Sequence, residues 1–351
     1  MKAKLISIIL ISTVLFIAVT GCAQQSKNST GVPHQTITDI YERKVDIPPK
    51  VECIATVGSA TRICAYADIV DKLVAVTDAD KENISRPYTI AYKDKLANLP
   101  TTNNGNHLNS TTVNKEQLLQ LKPDVILSTR SEDECNKLQE DTNIPVVGIY
   151  FQDEIFSDKV YNSIKIAGQI VGKTTEVDKT INYLKETKND LDERAKKIKN
   201  RTKIYRGAVN YKGSKGITGT ISNYCVYQNI NVDNVADNPN INGAYDTSME
   251  QIIAWNPGAM FFDCTNADKI TTEEKDTFPN IPMFYVAPFN NNGTNIEYGL
   301  CEMYFTGKTL YPEAFADVNL NDKFDQIFDK MLGKKIYQEL NAKGINFGKA
   351  N

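Results

Sequence analysis

Apolar and polar positions along this chain follow a pattern that occurs twice. Residues 116–128 read EQLLQLKPDVILS, and residues 250–262, 134 positions later, read EQIIAWNPGAMFF. Glu116, Gln117 and Pro123 recur as Glu250, Gln251 and Pro257, and apolar residues match at 118/252, 119/253, 121/255 and 125–127/259–261. Each copy predicts a short amphipathic helix followed by a buried strand. A proline pushes the residue before it out of the α region, so the helices should stop at Lys122 and Asn256. The same unit in both halves predicts two similar α/β lobes. A cleft between lobes is where small ligands usually sit.

The remaining pattern fills in the lobes. Residues 36–48 alternate and predict a hairpin, 51–57 a strand, 60–67 a short helix, and 72–77 and 146–149 further strands. From 157 to 200 the periodicity is helical and is interrupted only near Gly172. Tyr183, Leu184, Leu191 and Ile198 carry its apolar face, opposite a charged and solvated one. This stretch reads as one long α-helix, a stiff strut between lobes. A strand at 203–209, the second copy of the repeat, a strand near 282–287 and carboxy-terminal helices complete the chain. The predicted class is α/β, two similar lobes with a ligand cleft between them. Its divisions are 1–21, 22–35, an amino-terminal lobe 36–156, a bridging helix 157–200 and a carboxy-terminal lobe 201–351.

The amino terminus changes the picture from fold to location. Lys2 and Lys4 precede an apolar stretch from Leu5 to Val19, long enough for a signal sequence but short of the ~20 residues that span a bilayer. It ends in Val19-Thr20-Gly21-Cys22, which resembles the lipobox of bacterial lipoproteins. That resemblance implies cleavage before Cys22, acylation of its thiol and amine, and a lipid anchor on the extracytoplasmic face of the cell membrane. More than one acyl chain is needed for stable anchoring. The polar run from Ala23 to Gln35 then serves as a tether.

Charge and composition exclude several classes. Loss of the two lysines with the leader moves the net charge from −3 to −5, which argues against nucleic-acid binding. Beyond Cys22 stand Cys53, Cys64, Cys135, Cys225, Cys264 and Cys301, without metal-binding spacing. Most flank apolar runs and read as small buried hydrophobes rather than disulfide partners. The two histidines are His34, in the tether, and His107, in a loop. A bare zinc or manganese site wants several His and carboxylate ligands, so a naked divalent cargo is disfavoured. No G-x-S-x-G elbow and no credible Ser/His/Asp set supports a hydrolase. A lipid-anchored enzyme using His107 as a base is the poorer alternative to a binding module.

Cationic candidates favour an anionic ligand. Arg62 follows VGSAT at a strand-to-helix turn, where backbone N–H groups and an arginine fork both suit anions. Arg86 and Tyr88 lie in an irregular loop, and Ser128-Thr129-Arg130 ends the first repeat's strand, where α/β ligands bind. In the second lobe Arg206, Tyr211, Lys212, Ser214 and Lys215 surround Gly213 and Gly216, which let backbone approach a ligand. The expectation is that Arg62 faces Arg206, Lys212 and Lys215 across the cleft. The cargo would be an oxyanion or a metal chelate with anionic groups.

Several segments carry a family resemblance. TDIYERKVDIPPKVECIATVGSATRICAYADIVDKLVAVT is similar to the opening of periplasmic binding proteins for iron chelates, haem and cobalamin. RPYTIAYKDKLANLP, LKPDVILS, YRGAVNYKGSKGITGT, SMEQIIAWNP and FTGKTLYPEAFADVN also look like this family, the last three most like a branch with molybdate and tungstate binders. The chain departs from the usual pattern at GNHLNSTTVNKEQ, where a shorter glycine-rich turn is common. The resemblance implies a monomeric solute-binding lipoprotein, no enzyme and without a cofactor of its own. Its partners would be an ABC permease with its ATPase subunits. It also implies Tyr245 and Asn290 as ligand contacts, and Glu116 and Glu250 as the docking pair for the permease.

Overall fold

In this computed structural model the described residues are 34–81, 83–103, 112–152, 154–213, 216–290 and 293–350. Cys22, the tether up to residue 33, His107, Ser214 and Lys215 lie outside them. Two parallel sheets organise the rest. The first has the order Leu73–Ala75, Ile54–Val57, Val125–Ser128, Val146–Gly148, every neighbouring pair parallel. In the second, Met283–Val286, Ala259–Asp263, Lys203–Gly207 and Asp233–Asn234 run parallel, with Gly348–Lys349 antiparallel at one edge. The strands Val125–Ser128 and Ala259–Asp263 are buried at every position. Helices cover both faces of such sheets, which is why their sequences are continuous rather than alternating. The expected hairpin is present as Gln35–Thr38 against Lys44–Ile47, with Ile37, Val45 and Ile47 turned inward.

The internal repeat holds at atomic detail. Helices Lys115–Leu121 and Met249–Trp255 start on Asn114 and Ser248, whose side chains accept the N–H of Gln117 and Gln251. These caps satisfy one of the orphan donors of each helix start. The helices stop where the prolines require, at Lys122 (φ 47°) and Asn256 (φ 50°), both left-handed. Leu118 and Ile252 are fully buried, whereas Leu119 and Ile253 are exposed. Glu116 and Glu250 occupy the same exposed position in the first turn of their helices.

The stretch 157–200 corrects one expectation: it is two helices, Asp158–Ile170 and Thr174–Ala195, not one. Gly172 adopts φ +76°, a conformation that ends the first helix. Gly168 lets the second helix pack back on the first, since a Cβ there would meet Val177 at 2.5 Å. The second helix alone, 22 residues or about 33 Å long, leads from the first sheet into the second. All six cysteines beyond Cys22 are free thiols, with Cys64, Cys135 and Cys301 buried.

Candidate ligand-binding site

In the first sheet the chain leaves strand Ile54–Val57 for one neighbour and returns to Val125–Ser128 on the other side. The crevice at the carboxyl ends of those two strands is a topological switch point, where α/β sheets bind ligands. Gly58 turns the chain there with φ +72°, and a Cβ on it would come within 2.4 Å of Thr129 Oγ1. The close approach lets the Ser59 N–H donate to Thr129 Oγ1 at 2.8 Å. Over this crevice opens a cavity of about 480 Å³, lined among others by Tyr41, Ser59, Thr129, Ser131, Phe151 and Gln152. Two cavities of about 520 and 580 Å³ lie elsewhere, one among helices including Thr174–Ala195, one beside the carboxy terminus. Neither touches a strand end at a switch point.

Tyr41 reaches the cavity from the amino-terminal hairpin. Arg43 donates to Asp39 Oδ2 through Nε (2.9 Å) and Nη2 (2.6 Å), and the same oxygen accepts the Gly148 N–H at 2.9 Å. This clamp fixes the hairpin to the edge strand. Gly148 leaves room for the Tyr41 ring, which a Cβ would meet at 2.6 Å, and the hydroxyl donates to Arg130 O at 2.6 Å. The described lining residues carry hydroxyl, amide and aromatic groups and no carboxylate, imidazole or ammonium. Such a lining orients a bound molecule by hydrogen bonds and ring contacts.

Arg62 stands behind the cavity wall. It is buried, donates to Thr294 O at 2.7 Å, and lies 5.4 and 5.0 Å from the ring centroids of Tyr88 and Phe151. Gly293, another lining residue, sits against its guanidinium: a Cβ would be 3.2 Å from Nη1. Arg130 flanks the opening half-buried, its Nη1 3.5 Å from Glu134. Arg86 and Tyr88 converge on the buried Asp80, which also accepts from Thr61 and Thr77. Arg206 is buried at a different place, its Nε 3.2 Å from Glu302 Oε1 and its guanidinium over the Tyr224 ring. Lys212 is exposed, with its ammonium 5.1 Å from the Tyr211 ring centroid. Tyr245 donates to Ala236 O, and Asn290 is exposed and bridges to Thr294. None of Arg62, Arg86, Tyr88, Arg130, Arg206, Tyr211, Lys212, Tyr245 and Asn290 is among the lining residues of this cavity; Arg62 lies against two of them, Phe151 and Gly293, and Arg130 follows Thr129. Tyr41, Ser131, Phe151 and Gln152 were not singled out from sequence. The strand-end rule that pointed to Thr129 extends to Phe151 and Gln152, which follow the strand Val146–Gly148.

The second sheet has an equivalent crevice between Lys203–Gly207 and Ala259–Asp263. There Ala208 takes the left-handed turn (φ 57°), and Asn266 Nδ2 donates to its carbonyl at 2.8 Å.

Helix Ile296–Leu310 joins the two regions, and both of its glutamates are fully buried. Glu297 accepts from the Tyr66 hydroxyl at 2.6 Å and Glu302 from the Tyr224 hydroxyl at 2.8 Å. Burial pushes the Glu297 carboxyl from 4.5 up to about 7, although Tyr66 and Arg62 work the other way. Its protonated form is therefore the one the fold favours. The stability it lends is full below pH 4.5 and falls as pH rises toward 7, because the unfolded chain has already released the proton. Glu297→Gln is expected to match wild type near pH 4.5 and to exceed it by up to about 3 kcal/mol at pH 8. Urea unfolding at the two pH values checks this; an equal difference at both would remove Glu297 as the source.

Comparison with known proteins follows the geometry. The family described as periplasmic binding protein matches residues 63–283. The chain belongs to that family. Among solved structures, a periplasmic solute-binding protein from Veillonella parvula is 18% identical, with TM-score 0.66 over 90% of this chain and 97% of that one. The molybdate-bound MolA of a Haemophilus influenzae ABC transporter is 20% identical, with TM-score 0.65 over 86% and 98%. The haem-binding HutB of Vibrio cholerae is 18% identical, with TM-score 0.55 over 74% and 98%. At such identities the likeness shows the fold. None of the curated proteins matches the chain. This binding protein has the mixed α/β, two-lobe architecture of the class III periplasmic binding proteins that serve ABC transporters, and its family and structural neighbours are binding proteins rather than enzymes.

Proposed function

We propose that this binding protein is a lipoprotein anchored through Cys22 that captures a metal chelate of the siderophore type and delivers it to an ABC permease. The cavity at the first sheet's switch point carries the reading. Its volume of about 480 Å³ lies in the range of small-molecule sites. A tetrahedral oxyanion, with four oxygens each taking about the 30 Å³ of a water, would leave much of it empty. Hydroxyls and rings suit the faces of an organic chelate, and Arg62 behind Phe151 supplies a positive field for its anionic groups. Molybdate or tungstate is the second reading, favoured by the MolA likeness and by the hydroxyl lining of the crevice. Glu116 and Glu250, exposed at matching sites, are the proposed contacts with the permease.

The anchor rests on Val19-Thr20-Gly21-Cys22. No helix among the described residues is long and apolar enough to cross a membrane. Native mass spectrometry of the full chain purified from its own host tests both claims. The expected spectrum shows an acylated Cys22 and a bound mass of several hundred daltons that carries iron. A bound oxyanion mass would transfer the assignment to the second reading, and an unmodified Cys22 would remove the anchor.

A further inference from the structure

Leu119 and Ile253 stand out among the described residues as exposed large hydrophobics, 46% and 52% accessible. They are equivalent positions of the repeat, one in each lobe. Each is set three residues after a glutamate, Glu116 or Glu250, and residues three apart are neighbours on a helix surface. Neither helix can roll to hide its apolar side chain. Leu118 and Ile252 root the helices in their lobes, and the Asn114 and Ser248 caps fix their starts. Two copies of one exposed acid-plus-aliphatic face, held by the same caps and the same proline stops, fit a partner that itself presents one feature twice.

We propose that Leu119 and Ile253 are a matched pair of apolar anchors that seat the two lobes on the two halves of the membrane permease. Each enters an apolar recess beside a basic group that meets Glu116 or Glu250. The glutamates supply orientation and long-range attraction, which depend on salt. The aliphatic anchors supply the salt-independent part of the contact, since burial of apolar area is non-directional and does not need charge. The inference rests on the docking reading of Glu116 and Glu250.

The test uses the full-length lipoprotein and its host's permease–ATPase complex in proteoliposomes, with a photoreactive residue at position 119 or 253. Irradiation is expected to give, from both positions, an adduct with the permease polypeptide identified by mass spectrometry. Leu119→Ser with Ile253→Ser is expected to raise the concentration for half-maximal ATPase stimulation at least about tenfold, at low and high salt alike. Its thermal unfolding should remain that of wild type. Adducts only with a second copy of this chain or with lipid would overturn the proposal, as would unchanged stimulation by the double serine variant. The Glu116→Ala/Glu250→Ala chain separates the two ideas. If it loses stimulation while the serine variant keeps it, the anchors fail and the glutamates stand; if both keep it, the docking reading fails as well.

Discussion

Replacing both Glu116 and Glu250 by alanine is expected to abolish transport while leaving the protein folded and able to bind its ligand. Both side chains are exposed, in the first turns of helices whose stability comes from Leu118 and Ile252 beneath them. Backbone and Ser248 hydrogen bonds hold the Glu250 carboxyl below its ordinary range, so it is ionised at neutral pH. Acids in a first helical turn are favourable to the helix, but that effect is small at an exposed site and is screened by salt. On the proposed docking the contribution to delivery is larger, because the two contacts would be made together. Linking two contacts through a rigid body raises avidity by about 10²–10⁴ over either alone. Each single variant is therefore expected to weaken transport, and the double variant to remove it. Uptake by reconstituted vesicles is the measurement. Transport at the wild-type rate by the double variant would end the docking assignment, and with it the two-point geometry drawn from the repeat.

Glu302→Ala is expected to cost about 3–5 kcal/mol of folding stability, the cost of leaving a buried charge without its partner. Arg206 and Glu302 are 3% and 0% exposed, and burial opposes the charge on Arg206 while Glu302, Tyr224, Tyr227 and Asp263 together outweigh it. Without Glu302 the guanidinium keeps the carbonyls of Gly207 and Phe261, the face of Tyr224 and the field of the buried Asp263. Glu302→Gln retains an acceptor for the Tyr224 hydroxyl and should lose less. Urea unfolding of the two variants at pH 7 decides the matter. Equal losses would mean that the carboxylate charge rather than the shape of the side chain holds this region.

What could be read from the chain, and what could not, follows from the range of the interactions involved. The strands at 125–128 and 259–263 were legible because both faces of a parallel sheet are buried, which leaves an uninterrupted apolar run. The helix stops at Lys122 and Asn256 were legible because proline acts on the residue directly before it. The interruption at Gly172 was visible in the periodicity. The second helix was not, because a reversal depends on a left-handed glycine and on Gly168 receiving Val177, and periodicity records neither. The arginines show the limit most clearly. Arg62 and Arg206 meet Thr294 and Glu302, 232 and 96 residues away in sequence, from a segment read only as carboxy-terminal helix. A cation intended for a ligand and one serving the fold look alike until that partner is placed. Of the cavity's hydroxyls, Ser131 escaped for the opposite reason: Ser and Thr are ordinary at turns, so it carried no signal until Tyr41 and Phe151 stood beside it.

The described lining of the first sheet's cavity comes from the turns that follow strands Ile54–Val57, Val125–Ser128 and Val146–Gly148, together with Tyr41 and Gly293, and on the proposed reading these residues choose the cargo. The short helices bearing Glu116 and Glu250 contribute nothing to that lining. A chimaera that takes only those three turns from a relative with different cargo should keep its own importer. Retargeting would then need grafted turns rather than a new pair of proteins.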